Sequence, residues 1–448
     1  MSVLAGSPGF LKYFLKGDKK MSKRFFSLLI IIMIVVPFFV FSAGEKEGTG
    51  VTTLELWTQP NVNSERFWKP VIDEFNSTHG NIQVDWKTIP TGGSSEEIIL
   101  TAIATGTQPD ICTNIFSGFL AQLVENEVVV ALDEEFPDFR DLTKKAKMDG
   151  LMKGWEIGGK NYELPMYVNT MQDWYNKDLL AKAGLSTPPR TYSEFLDAAA
   201  KISVPGEVFA AEVNYKTSWW SRWFDLENSY FAASGGKPYI NVKTGRLAFD
   251  DKYGRAYLNF IAELFAKKYA EPVDIKDGVL KGSVFMKHPQ GPWSIKGANE
   301  RFPEVPYVVA NPLVPDFVPA SQQVYVFADT KGMVMFKSTK NKEAAWEFMK
   351  WYYSDINHIV SWLEETGQAP AREDLLTNPV FTDFWKKNPQ TAQYAEMIPY
   401  SIPPAAIPNT VEVHNLINSE LWEPIVFGKK TVDEALNDLI PKVQALWE

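Results

Sequence analysis

The sequence has few of the residue patterns that support metal binding or catalysis. Its only cysteine, Cys112, excludes an internal disulfide. Its four histidines lack a metal-binding spacing, and there is no GxSxG elbow, GxxxxGK(S/T) loop or GxGxxG turn. We therefore expect no cofactor, no metal and no catalytic residue. A glycosidase needs two carboxylates without fixed sequence spacing, so an exported carbohydrate-active enzyme stays an alternative.

An apolar run near the N-terminus has the features of an export signal. Residues 21–43, MSKRFFSLLIIIMIVVPFFVFSA, join two bases, an apolar stretch and small residues at the end. We expect 1–43 to be an upstream extension and signal peptide, with Met21 as the start. An uncleaved anchor is the alternative. No cysteine near the junction could carry a lipid, so a periplasmic, soluble mature chain is expected.

The charge and length of the rest of the chain narrow its class. Without residues 1–43 the net charge is −15, which argues against nucleic acid as a partner. About 400 residues exceed what one hydrophobic core usually serves, so two lobes are expected.

Alternating hydrophobic periods after residue 50 predict an α/β fold. Strand patterns at 53–57, 82–86 and 109–115 are separated by helical patterns, the first over 67–75. Such alternation predicts a parallel sheet whose ligand crevice lies at the carboxyl ends of the strands.

The second half of the chain is richer in helix signals. Capping boxes begin at Thr191 and Thr431, and apolar residues recur at helical spacing over 251–269 and 342–362. Pro441 lies where it could kink or divide the C-terminal helix that the capping box at Thr431 begins.

Aromatic and neutral polar residues follow the predicted strands or stand in loops. A sugar offers apolar C–H faces and a rim of hydroxyls, which aromatic platforms and Asn, Gln or Ser side chains match. Core packing for the aromatics, and turn or capping roles for the amides, are the alternatives. Few bases accompany these stretches, which favours a neutral ligand. The candidates are Trp57, Gln59, Asn61, Asn114, Ser117, Asn169, Trp219, Trp220, Trp293 and Tyr325.

Six collinear segments resemble one family. The longest, ELPMYVNTMQDWYNKDLL at 163–180, continues into PPRTYSEF at 188–195 and is similar to the central signature of the extracellular solute-binding proteins of ABC importers, the maltose-binding-protein-like sugar binders. The others are ATGTQPDI at 104–111, GPW at 291–293, NKEAAWEF at 341–348, GQAPAR at 367–372 and TVDEAL at 431–436.

The resemblance implies a periplasmic-binding-protein fold, with two α/β lobes, a hinge crossed three times and ligand in the interlobe cleft. It places one lobe at 50–167 plus 330–355 and the other at 170–326 plus 358–448. Crossings are expected near 167–169, 325–330 and after Tyr353.

The same resemblance assigns roles to the candidate residues. It implies that Trp293 stacks on the ligand, that the Trp pair at 219–220 adds a platform, and that contacts come from Gln59, Asn61, Asn114, Ser117 and Asn169.

The resulting hypothesis is a monomeric substrate-binding component of an ABC importer. It captures a carbohydrate, an oligosaccharide or sugar derivative, and delivers it to membrane permease subunits. Alternatives are the same fold binding a polyol, a glycerophosphodiester, a peptide or an amine, the exported enzyme, and a purely structural exported protein.

Overall fold

The structure, a computed structural model, describes residues 50–90 and 94–448, so the predicted signal at 1–43 lies outside the described residues. None of the helices in these two ranges is long and apolar enough to span a bilayer. The strands are β1 (Thr52–Thr58), β2 (Ile82–Thr88), β3 (Ile111–Phe116), β4 (Glu156–Ile157), β5 (Lys160–Asn161), β6 (Leu164–Thr170), β7 (Gln172–Asn176), β8 (Phe209–Val213), β9 (Val284–Gln290), β10 (Tyr307–Ala310), β11 (Val326–Met335) and β12 (Ser401–Ile402).

Helices fill most of the space between these strands. The α-helices are α1 (Val62–Thr78), α2 (Ser95–Thr105), α3 (Ser117–Glu125), α4 (Leu132–Glu135), α5 (Phe139–Lys145), α6 (Asp149–Met152), α7 (Lys177–Ala183), α8 (Tyr192–Ile202), α9 (Asn228–Ser234), α10 (Lys252–Ala266), α11 (Gly278–Lys281), α12 (Ile295–Arg301), α13 (Lys342–Ser354), α14 (Ile356–Thr366), α15 (Thr382–Lys387), α16 (Pro389–Glu396), α17 (Thr410–Leu416), α18 (Glu423–Val426) and α19 (Val432–Gln444). Two π-helices, Trp223–Glu227 and Ile417–Trp422, lie next to α9 and α17.

The larger sheet has six strands, in the order β12-β11-β3-β1-β2 with β6 also paired to β11. Strands β1, β2 and β3 are parallel, as the alternating pattern predicts, with Leu56 of β1 opposite Trp86 in β2 and opposite Ile111 in β3. Strand β11 runs antiparallel to both β3 and β6, which makes the sheet mixed. The α/β class is therefore confirmed, with an antiparallel central strand that the sequence pattern did not predict.

The chain leaves this sheet within the segment that carries the family resemblance. Strand β6 ends at Thr170, and β7 begins at Gln172 in a second sheet of order β10-β7-β9-β8. Only Met171 separates the two strands, and its side chain is buried. The lobe boundaries inferred from the resemblance stay a prediction.

Helix boundaries follow local capping chemistry. The capping boxes at Thr191 and Thr431 are both present, and Pro441 lies inside α19 without ending it. The helical stretch expected over 342–362 is present, but it is divided. It is two helices, because Asp355 leaves the helical conformation and its side chain caps α14 by accepting from the Asn357 N–H.

A buried carboxyl lies at the junction of β6 and β11. Glu163 is fully buried, and a side chain at Gly332 would overlap the Leu164 carbonyl and the Glu163 side chain, so only glycine fits there. Burial raises the pKa of Glu163 well above its ordinary value, and the nearby Gly332 N–H opposes this shift only in part.

We expect Glu163 to make stability depend on pH. Above its ordinary pKa the unfolded chain loses this proton while the folded chain keeps it, so the free energy of unfolding falls as pH rises. Within that window the loss is about 1.4 kcal/mol per pH unit. In Glu163→Gln the decline should flatten, as measured by urea unfolding at pH 5, 6.5 and 8.

Glu343→Gln is the matched control, because Glu343 is exposed on α13. Its pH profile should parallel that of the unaltered protein. A Glu163→Gln profile that also declines in parallel would contradict the assignment.

Candidate functional site

A cavity of about 450 Å³ lies between the larger sheet with its neighbouring helices on one side and, on the other, residues at the π-helix Trp223–Glu227 and in the turn after β9. The side of the larger sheet supplies polar and charged groups, and the other side supplies aromatic rings. The lining residues used below are Gln59, Asn61, Glu96, Phe116, Tyr167, Trp220, Phe224, Trp293, Asp329, Lys331 and Gln368.

The polar side begins where β1 ends. Gln59 follows the strand directly and is buried, with its Oε1 lacking a hydrogen-bond partner among the described residues. Asn61 is the N-cap of α1, and its Oδ1 accepts from the Ser64 N–H at 2.8 Å. Both roles weighed for Asn61, capping residue and cavity residue, therefore occur together.

Helix α2 and strand β11 bring charge to the cavity. Glu96, in the first turn of α2, is 3% exposed, and Asp329 in β11 is 4% exposed. Lys331 lies two positions after Asp329, and its Nζ donates to Asn114 Oδ1 at 2.6 Å and lies 3.9 Å from the centre of the Phe116 ring.

The protonation of these groups is set mainly by burial. It raises the pKa of Glu96 and of Asp329, and the Lys331 ammonium opposes both shifts. Burial lowers the pKa of Lys331, against the attraction of Asp329 and Glu96. The protonation of Glu96, Asp329 and Lys331 is therefore coupled, because each charge shifts the pKa of at least one other.

Three partly buried rings form the aromatic side. Trp220 lies 5.5 Å from Phe224, and Phe224 lies 6.0 Å from Trp293, measured between ring centres. Trp293 follows β9 through Gly291, whose missing side chain leaves room for the indole ring. The rings are tilted against one another, so each presents a different face to the cavity.

Four of the predicted residues thus line the cavity: Gln59, Asn61, Trp220 and Trp293. Two others lie just behind it and hold lining residues. Asn114 accepts from Lys331, and the Asn169 Nδ2 donates to Asp329 Oδ2 at 3.2 Å.

The remaining predicted residues serve packing in this structure. Trp57 is buried and its Nε1 donates to Glu55 Oε1 at 2.7 Å, and Ser117 Oγ lies 2.8 Å from Thr330 Oγ1. Trp219 packs edge-on against Trp223. The partly buried ring of Tyr325 lies near Tyr400, 6.2 Å between ring centres.

Sequence reasoning missed the charged lining residues Glu96, Asp329 and Lys331, together with Phe116, Tyr167, Phe224 and Gln368. Glu96 lies in the first turn of α2, whose Ser-x-x-Glu capping box from Ser94 to Glu97 is a signal visible in the sequence. Asp329 and Lys331 lie inside a strand, where no spacing rule marks them.

Two buried pairs of titratable side chains pack at the π-helix on the aromatic side of the cavity. Arg222 Nη2 lies 2.9 Å from Asp225 Oδ2, with both side chains fully buried, and the guanidinium stacks 3.9 Å above the Trp422 ring. Glu227 Oε1 and His414 Nε2 lie 2.7 Å apart, and burial raises the pKa of Glu227 to about 7. Arg222, Asp225 and Glu227 flank or belong to the π-helix that carries Phe224.

The hydrogen bonds of His414 define how many protons the Glu227–His414 pair holds. His414 Nδ1 is 2.7 Å from the Thr410 carbonyl, which can only accept, so Nδ1 carries a proton. The contact between Nε2 and Glu227 then holds a single proton, whichever of the two groups carries it. The pair is neutral overall, which suits its full burial.

We expect Arg222→Met to destabilise the fold by about 3–5 kcal/mol, because it leaves the Asp225 carboxylate buried without its cation. Urea unfolding at pH 7 measures the loss. The double variant Arg222→Met/Asp225→Asn should recover part of it, since no unpaired charge remains. Additive losses in the double variant would contradict this account.

Comparison with known proteins places the chain in a family. Residues 60–358 match the family described as bacterial extracellular solute-binding protein, which covers most of the chain. The protein belongs to this family of extracellular solute-binding proteins.

Individual relatives span two thirds or more of the chain. An uncharacterized protein of Listeria monocytogenes has a similar structure, with a TM-score of 0.77, 32% identity, and coverage of 89% of this chain and 100% of that one. The maltodextrin-binding protein MdxE of Bacillus subtilis is 27% identical over 319 residues, 68% of this chain and 71% of its own. The sn-glycerol-3-phosphate-binding periplasmic protein UgpB of Brucella abortus is 23% identical over 438 residues, 89% of this chain and 96% of its own.

Proposed function

We propose that the protein is the substrate-binding component of an ABC importer and that it captures a carbohydrate. The observation that carries the proposal is the two-sided cavity, with tilted aromatic rings facing buried amide and carboxylate oxygens. Such a site matches the apolar faces and hydroxyl rim of a sugar. Its volume of about 450 Å³ lies within the usual range for small-molecule sites.

In this proposal the protein works by closure of two lobes, divided as the sequence resemblance implies. The cavity is lined by the larger sheet on one side and by residues at the π-helix and the turn after β9 on the other, so a ligand that contacts both sides stabilises the closed state over the open one. A further contact joins the aromatic side of the cavity to the end of α14, a segment that the resemblance assigns to the same lobe. Lys296, on α12 next to Trp293, donates to the Glu364 and Glu365 carbonyls at the end of α14 at 3.1 and 3.2 Å.

The proposed partners are the permease subunits of the importer, which distinguish the closed form, and the proposed location is outside the cytoplasm. Family membership and the importer context of relatives support both. A monomer is proposed, because one chain contributes both sides of the cavity.

Two observations favour other functions, hydrolysis of a glycan and binding of a phosphorylated ligand, and both need a test. Glu96 and Asp329 could serve as the carboxylate pair of a glycosidase. Lys331 and the relation to UgpB favour a phosphorylated ligand.

A triad-like arrangement elsewhere does not support hydrolysis. Asp173 Oδ1 lies 2.7 Å from His288 Nδ1, and His288 Nε2 lies 3.2 Å from Ser229 Oγ. Ser229 is 1% exposed and His288 is 5% exposed, so a substrate cannot reach the serine. Tyr257 also bonds to the same Nε2, at 3.0 Å, which identifies the cluster as a buried polar network.

A thermal-shift screen tests the proposal. The exported chain is screened against mono- and oligosaccharides, polyols, sn-glycerol 3-phosphate and peptides. We expect a saturable rise in Tm with one class of sugar, because a ligand at 100 times its Kd adds about 2.7 kcal/mol. Chromatography should recover that sugar intact. Recovery of cleaved sugar would identify an enzyme, and a shift with sn-glycerol 3-phosphate or peptide alone would overturn the carbohydrate assignment.

Trp293→Ala should lower the affinity for the sugar identified in the screen by about tenfold to a hundredfold, because the stacking face is lost. Isothermal titration measures the Kd. Trp447→Ala is the matched control, since Trp447 lies against Val242 and Gly245 outside the cavity lining. Undiminished affinity in folded Trp293→Ala would remove this residue from the site.

A further inference from the structure

Two buried carboxylates of the cavity each have an oxygen that no protein group satisfies. Among the described residues, Glu96 Oε1 and Asp329 Oδ1 lack hydrogen-bond partners, although both side chains are more than nine-tenths buried. Buried carboxylate oxygens are normally bonded, and leaving one unpaired is destabilising. Both residues line the cavity, so a ligand placed there can supply the missing donors.

The lysine between them is already occupied. Lys331 donates to Asn114 and lies over the Phe116 ring, and among the described residues it forms no ion pair within 4.0 Å with either acid. It attracts both carboxylates through space without filling their free oxygens. The lining groups therefore comprise two acids and one base, and the base is held against the cavity wall.

This arrangement discriminates between ligands by charge. A hydroxyl donates to a carboxylate, whereas a carboxylate or phosphate on the ligand brings like charges together in a region of reduced dielectric. At about 6 Å and an effective dielectric constant of about 20, one such repulsion corresponds to roughly a hundredfold in affinity. Specificity of this kind comes from penalising the wrong ligand.

We propose that Glu96 and Asp329 determine the ligand class of the cavity, accepting hydroxyls of an uncharged sugar and excluding acidic or phosphorylated ones. This inference rests on the proposed function, because it names the class of carbohydrate. It assigns to Lys331 the role of holding the two acids in place by charge, with no direct contact to an anionic ligand.

The test compares matched sugars with the unaltered protein. The neutral probes are glucose, maltose, maltotriose and the best sugar of the screen. The anionic probes are glucuronic acid, maltobionic acid, glucose 6-phosphate and sn-glycerol 3-phosphate. We expect the tightest neutral sugar to bind on the order of a hundredfold more tightly than any anionic probe.

The double variant Glu96→Gln/Asp329→Asn isolates the charge. It keeps the size and one acceptor oxygen of each side chain, replaces the other oxygen by an NH2 donor, and removes two negative charges. Affinity for the neutral sugar should fall about tenfold, because charge-assisted bonds become neutral ones. The ratio of neutral to anionic affinity should fall from about a hundredfold to below tenfold. A merely structural role would weaken all probes together and leave this ratio unchanged.

Glu65→Gln/Asp197→Asn is the matched control, because both residues are exposed on helices outside the cavity lining and the change in net charge is equal. Its affinity ratio should equal that of the unaltered protein.

The outcomes separate two failures. Equal binding of neutral and anionic probes to the unaltered protein, or an unchanged ratio in the cavity variant, overturns this inference and leaves carbohydrate capture intact. Tight binding of an anionic probe alone, or no shift with any sugar, overturns the proposed function together with the inference.

Discussion

Strand β11, the central strand of the larger sheet, places the charged residues Asp329 and Lys331 in a buried cavity. Burial destabilises these charges, and neighbouring residues compensate for that cost. Strand β11 pairs with β3 and β6, so Asp329 and Lys331 cannot retreat to solvent. Each is held by an amide from a neighbouring strand, Asn169 for the acid and Asn114 for the lysine. Because both amides are almost fully buried, these bonds are stronger than they would be in water.

The opposite wall is organised by a second set of buried charges. Arg222, Asp225 and Glu227 anchor the π-helix through Trp422 and His414. π-Helical segments are rare, and they recur at functional sites. Here the π-helix carries Phe224 to the cavity. Packing of the aromatic side therefore depends on ion pairs that never contact the cavity.

Local chemistry explains which parts of the fold could be predicted from the sequence. Neighbouring residues determine the alternation of strands and helices from β1 to β3 and the capping boxes. Sequence patterns therefore predict both. The break at Asp355 was missed because the apolar period continues through it. In the site, Gln59 and Trp293 follow strand ends and were predictable, whereas Lys331 meets Asn114 across 217 positions, a contact that topology alone creates.

The unpaired oxygens also connect recognition with closure. If the cavity closed empty and dry, Glu96 and Asp329 would keep acceptors without donors, which opposes closure by about 1–3 kcal/mol for each. A bound sugar removes that penalty, and stacking on the aromatic side adds to the gain. A bias of a few kcal/mol is enough to shift a two-state population by more than tenfold. In the proposed mechanism, the same two residues that select the ligand therefore make the closed form depend on its presence, as delivery to the proposed permease partner requires.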